Sequence, residues 1–470
     1  PLNFGAGPVT SVTTVQWFTT APKENLVQKV TQPHAEYTEF DYNDNGYRTD
    51  EWDELRNHTV LAFENVAADA NDVSGKWETG RTIPHISQLD TKTDPVGVAT
   101  TGNPTDYKWL FDYDASGNLT LVTDPLGKTR STVYNADGTV QKETDGLNRD
   151  TVYNAYDANG LPTQVTDAAG GVVKVGYDDR GSLLWLQDPN HASFAGGDPR
   201  DYRVYHDYDS FGRESRSSQP RSSVLRPGEL IWSTTVYDAN DNEVSATSPH
   251  YGRSTAGAAP TTSTTFDAMD RPTLVTGPRK TSATTFVRTQ TVYDDAGRIS
   301  AVTRPNGVES SDADDYTSFS SYDKLDRVFQ EWSFEVSGGS EVAGTRRTSS
   351  YCYDLAGDLR SVTAPKGAAS FTSCPAIVVP ASYVYTTAGY TTKNEYDDAH
   401  RQTTQTTKAA LEEGGVVTDR VTQTGYDANG QVTSTTDANG KLATTAYTDR
   451  GEKQTVTQPF DTGRTLTTRY

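Results

Sequence analysis

The chain has 470 residues, 34% hydrophobic content and a formal charge of −21. That balance speaks against nucleic acid as a partner, because phosphate contacts need Lys and Arg, and against docking on anionic lipid. No apolar run of about 18 residues exists, so no membrane-spanning segment is expected, and no signal-like leader stands at the start.

Thr, Asp and Gly abound beside 26 tyrosines. This composition suits strands and turns, and the fixed spacing of Tyr, Val and Thr argues against disorder. Residues 1–110 read as a less regular N-terminal β region. Within it, 12–18 and 27–30 have strand character, and Phe40-Asp41-Tyr42-Asn43-Asp44-Asn45-Gly46 is a degenerate repeat. Residues 50–63 carry Trp52, Leu55, Val60 and Phe63 at loosely helical spacing, which predicts a short helix or a loop. Residues 64–108, with Trp77, form an irregular excursion.

From 111 to 470 one unit recurs, and recurrence at a period of about 20–50 residues signals an array. Its anchors are Tyr113, Asp114 and Gly117; Tyr134 and Gly138; Tyr156, Asp157 and Gly160; and Tyr177, Asp178 and Gly181. They continue with Tyr208, Asp209 and Gly212; Tyr237 and Asp238; Tyr293, Asp294 and Gly297; Tyr353, Asp354 and Gly357; Tyr396 and Asp397; and Tyr426, Asp427 and Gly430. Phe266 and Tyr322 head copies that lack the Gly, so their turns are less firmly marked. The shortest period is 21 residues, from Tyr156 to Tyr177; longer copies carry inserts.

The chemistry of one unit is local. Period-two alternation flanks each Tyr-Asp pair, which predicts strands. An Asp side chain bonds the backbone N–H two residues on, and Gly supplies positive φ for the reversal. A second turn follows, either Asp-led (Asp167, Asp437) or built on Pro: Asp124-Pro125-Leu126-Gly127, Arg304-Pro305-Asn306-Gly307 and Ala364-Pro365-Lys366-Gly367. Strand, turn, strand, turn is an antiparallel meander that needs no helix. Stacked units would set the tyrosines in a ladder, with aromatic neighbours contributing roughly 0.2–1 kcal/mol each. So little aliphatic content suits one all-β sheet coiling through its own twist and enclosing a hollow.

Candidate chemistry is sparse. The seven histidines show no metal-ligand spacing, and neither a nucleophile elbow nor a phosphate loop occurs. Asp41, Asn43, Asn45 and Asp238, Asn240, Asn242 resemble the start of a calcium loop. Trp52 and Pro249 stand where its bidentate Glu belongs, which favours plain turns. The basic segment 213–226 reads as a solvated insert. Cys352 and Cys374 are either a disulfide pair or two free thiols. No catalytic residue, metal site or cofactor is expected.

Tyr156-Asp157-Ala158-Asn159-Gly160, Tyr293-Asp294-Asp295-Ala296-Gly297-Arg298 and Tyr426-Asp427-Ala428-Asn429-Gly430 resemble the RHS, or tyrosine–aspartate (YD), repeat family. The resemblance implies a β strip spiralling into a hollow shell. Bacterial members commonly enclose a C-terminal toxin, and animal teneurins serve in adhesion. Family shells usually end in an Asp-Pro-x-Gly-Leu type autoproteolytic motif. Asp94-Pro95-Val96-Gly97-Val98 and Asp124-Pro125-Leu126-Gly127-Lys128 match it only in part and read as turns. The chain starts at Pro1 and stops at Tyr470 in mid-pattern, as a piece of a longer protein would. The expectation is a non-enzymatic shell, secreted or at the cell surface, around a polypeptide cargo. The rival is an adhesive or carbohydrate-binding wall whose inserts at 190–203, 305–320 and 367–392 contact a cell-surface glycan or protein.

Overall fold

The computed structural model describes residues 13–31, 37–63, 88–99, 107–189, 200, 202–222, 226–248, 261–280, 286–308, 316–337, 340–342, 344–371, 373–374, 390–408, 419–461 and 464–470. Trp77, most of the three inserts, and the histidines at 34, 85, 191 and 250 lie outside them.

Alternation around each Tyr-Asp pair resolves into antiparallel hairpins. Arg420–Tyr426 pairs with Val432–Thr436, which pairs in turn with Leu442–Tyr447. Neighbour follows neighbour until 33 strands share one sheet. The sheet is all antiparallel and does not close. Thr14–Trp17 and Arg464–Arg469 each pair on one side only.

Each Tyr-Asp hairpin slips register by one residue. Tyr113 faces Leu119 and Asp112 faces Leu121, so Thr120 is left over as a bulge. Its hydroxyl donates to the Asp112 carbonyl at 3.2 Å. Ser215 does the same to Asp207, and Thr433 to Gly425. Bulges add right-handed twist, and a twist repeated at every hairpin coils the strip.

The coil brings distant turns together. Asp94 meets His400, 306 residues on; Asp145 meets Asn429, 284 on; Arg149 meets Thr448, 299 on. One winding thus takes about twenty strands. The Tyr-Asp turns of the second winding rest on the opposite, second-turn edge of the first.

Four expectations are corrected. Residues 50–63 are a hairpin, Arg48–Trp52 with His58–Phe63, and not a helix or a featureless loop. Asp53 closes it: its Oδ1 accepts the N–H of Leu55 and Asn57, and Arg56 takes positive φ. The meander also carries helix. Pro95–Ala99, Pro305–Val308 and the 3-10 turn Pro365–Ser370 replace tight turns, because a proline suits a first helical turn and the next strand starts well beyond. Asp124–Gly127 does reverse tightly. The basic segment is sheet, since Glu214–Ser222 pairs with Arg226–Tyr237. Finally, the Phe266 and Tyr322 turns form as firmly as the others, with Asp270 and Asp326 at positive φ.

Burial is thin. Among the described residues only Val96, Ile231, Ala301 and Cys352 are buried hydrophobics. A single sheet wet on both faces cannot rest on a core, so ladder bonds and turns must hold it. Cys352 is disulfide-bonded to Cys374 across a Cα separation of 5.4 Å, tying the segment after Pro365–Ser370 to the sheet.

Candidate functional site

The functional surface of such a strip is its turns, and each is built the same way. Asp114 Oδ1 accepts the N–H of Ser116 and of Asn118 at 2.8 and 2.9 Å, while its own N–H donates to the Asn118 carbonyl. Asp157, Asp178, Asp209, Asp294, Asp354, Asp397 and Asp427 repeat the pattern. In the Tyr134 unit Asp137 serves instead, accepting from Thr139. Gly117, Gly138, Gly160, Gly181, Gly212, Gly297, Gly357 and Gly430 all hold positive φ. These bonds favour the ionised carboxylate, so Asp114, bonded first by the Asn118 amide, sits below its ordinary pKa. The two calcium-like runs spend their oxygens inside turns: Asn43 Oδ1 takes the N–H of Asn45 and Tyr47, and Asp238 Oδ1 those of Asn240 and Asn242.

The tyrosines align, though not by stacking on one another. Each hydroxyl donates to the first carbonyl of the preceding hairpin's return strand. Tyr113 reaches Leu89 at 3.1 Å, Tyr134 Leu119 at 3.0 Å, Tyr208 Leu183 at 2.9 Å and Tyr426 Gln402 at 2.7 Å. Tyr156, Tyr177, Tyr237, Tyr293, Tyr353 and Tyr396 do likewise. Burial pushes the Tyr353 and Tyr396 phenols above their usual pKa. Among the described residues no ring pair joins one repeat tyrosine to the next, so the predicted aromatic ladder is corrected to a phenol–carbonyl ladder.

The rung between tyrosines is an arginine that the Tyr-Asp motif did not reveal. Arg213, Arg271, Arg298, Arg327 and Arg401 follow the left-handed residue of their turns. Each pairs with its own turn Asp, at 2.7 Å for Arg271 and Asp267. Each also lies over the tyrosine of the next unit, with centroid distances from 4.5 Å (Arg271 to Tyr293) to 4.8 Å (Arg401 to Tyr426). The signal was present in Gly297-Arg298, Asp270-Arg271 and Asp326-Arg327.

Between windings the contacts are polar. Asn429 Nδ2 donates to Asp145 Oδ2 at 2.6 Å, Arg149 Nη1 to the Thr448 carbonyl at 3.1 Å, and Arg450 lies 2.7 Å from Asp167. The approach is close. A Cβ on Gly146 would stand 2.5 Å from the Ala428 carbonyl oxygen, so no side chain fits there. Among the described residues no cluster of His, Cys, Asp and Glu has the makings of a metal site.

Residues 113–150 and 156–190 match the RHS Repeat family model. The chain carries RHS repeats. No curated protein matches it. Among solved structures, TcdB2-TccC3-TEV is 12% identical over 97% of this chain and 25% of its own, with a TM-score of 0.47. TcdB2-TccC3 is 14% identical over 97% and 28%, at 0.45. The Photorhabdus luminescens Tc holotoxin pore is 12% identical over 93% and 24%, also at 0.45. The chain therefore spans about a quarter of the length of these structures.

Proposed function

We propose that this chain is a wall segment of an RHS shell, part of a secreted or surface-exposed protein, and that the shell encloses a polypeptide cargo. The carrying observation is that the strip coils past itself and is joined to itself edge to edge. About twenty strands at about 4.8 Å each give a winding roughly 95 Å round and 30 Å across, wide enough for polypeptide. The wall itself is structural rather than catalytic. Among the described residues its recurrent aspartates and tyrosines are engaged in turn and ladder bonds, the roles of a scaffold. The Cys352–Cys374 disulfide suits an oxidising setting outside the cytoplasm.

Electron microscopy of the full-length protein, with mass spectrometry of protease-protected fragments, tests this reading. The expected result is a cavity holding a protected second polypeptide. An open array with every segment equally digested would sink it.

A further inference from the structure

One joint of the seam is ionic and largely enclosed. Lys92 Nζ lies 3.1 Å from Asp94 Oδ1, and Asp94 Oδ2 lies 3.0 Å from His400 Nε2. His400 Nδ1 lies 2.9 Å from Asp358 Oδ2; Asp358 stands 3.9 Å from Arg360, whose Nε bonds Asp354 Oδ2 at 2.6 Å. Lys92 and Asp94 belong to the first winding, the other four to the second. Signs alternate along this row of six only when His400 carries its proton. A neutral imidazole donates from one nitrogen alone, so one carboxylate would face a lone pair. The Tyr107 ring, 6.1 Å away, covers a further side. The backbone makes an independent point. His400 occupies the left-handed position of its turn, at φ 60°, where most other units place glycine.

We propose that protonated His400 is a latch that fastens the second winding to the first, and that losing its proton frees this part of the seam. Bonds to Asp358 and to Asp94 outweigh burial and raise the imidazole pKa from 6.5 to about 10. Asp94 is held below its ordinary value: burial opposes this, and the bonds from His400 and Lys92 overcome it. The sign follows. His400 has a higher pKa folded than unfolded, so its contribution is complete below the unfolded value and is lost as pH rises through about 10. The Asp94 contribution is lost as pH falls through its lowered value. The latch thus stays shut across the range in which an exposed histidine would switch.

Two measurements on the whole chain test this. The first is NMR titration of the imidazole, assigned by its loss in H400Q; the expected midpoint lies near 10. The second is amide hydrogen exchange, corrected for the intrinsic rate, at 94–99 and 397–401 against the remote hairpin 203–222. At pH 8, H400Q should raise exchange at the seam tenfold or more and leave 203–222 unchanged, whereas His400→Arg should stay protected even at pH 11. If H400Q does not fold, Asp94→Asn should lower the imidazole midpoint in an otherwise intact sheet. An imidazole titrating near 6.5, or wild-type seam protection in H400Q at pH 8, overturns the proposal.

Discussion

Two stretches of the wall solve one problem differently. Between 108 and 187 the units are compact, 21 residues from Tyr156 to Tyr177. The residue after the glycine of each Tyr-headed turn there is Asn118, Thr139, Leu161 or Ser182, none a cation. Neighbouring units are linked by the strand ladder and the phenol–carbonyl bond. Between 203 and 407 the period stretches, to 29 residues from Tyr293 to Tyr322, and arginine takes that place in five of the seven units, Asn242 and Asp358 standing there in the other two. Arg213 then reaches forward to Asp241 of the next turn, and Arg298 to Asp326, both at 2.6 Å. Asp241 and Asp326 stand where glycine is expected. They are therefore not decayed copies of the motif. Each accepts strain at positive φ, about 1 kcal/mol, and in return receives its predecessor's guanidinium.

Breaking the enclosed end of the long-period stretch should have the largest effect. Asp354 and Arg360 pair with side chains 1% and 3% exposed. Asp354→Ala should cost about 3–5 kcal/mol in denaturant unfolding, because it strands a buried guanidinium. Asp114→Ala, in an open turn of the compact stretch, should cost clearly less; equal losses would erase the distinction. Next comes Arg298→Leu, expected to cost about 1–2 kcal/mol through the lost ion pairs and ring contact. In that background Asp326→Gly should restore about 1 kcal/mol, while in the wild type it should be nearly neutral. A stabilising Asp326→Gly in the wild type would show that Arg298 does not hold Asp326. Tyr177→Phe and Tyr293→Phe sample a bond common to both stretches, so each should cost about 1 kcal/mol. A gap well beyond that between the two would mean that the arginines carry part of the phenol's role. The smallest effect is a shared acid limit. Asp114 and Asp267 have lowered pKa values, from the Asn118 amide and the Arg271 guanidinium respectively. Their contribution is present above the ordinary carboxylate range and should fade as pH falls below about 4, which a circular-dichroism acid titration would register in both stretches.

How much could be read from sequence follows from distance along the chain. The turns were legible because every bond in them spans two to four residues, as from Asp114 to Ser116, Gly117 and Asn118. The hairpin at 48–63 was missed because Trp52 stands in the tyrosine's place and Arg56 in the glycine's, while the apolar spacing mimicked a helix. The arginine rungs were hidden because the partner lies a whole unit away, from Arg213 to Tyr237. The seam was out of reach, since which turns meet depends on curvature summed over about twenty strands. One trace of it stood in the sequence: Gly146 lies in a turn whose left-handed residue is Asn148, so backbone freedom does not explain it, and the approach of Ala428 does.

That seam makes the wall count. Asp94 meets His400 only because a fixed tally of hairpins lies between them. Deleting one hairpin would carry the histidine two strand spacings past its carboxylate, about 10 Å. Loops can lengthen without disturbing the tally, whereas duplication or loss of a hairpin inside a winding must be matched all the way round, so the circumference of such a wall changes in discrete steps.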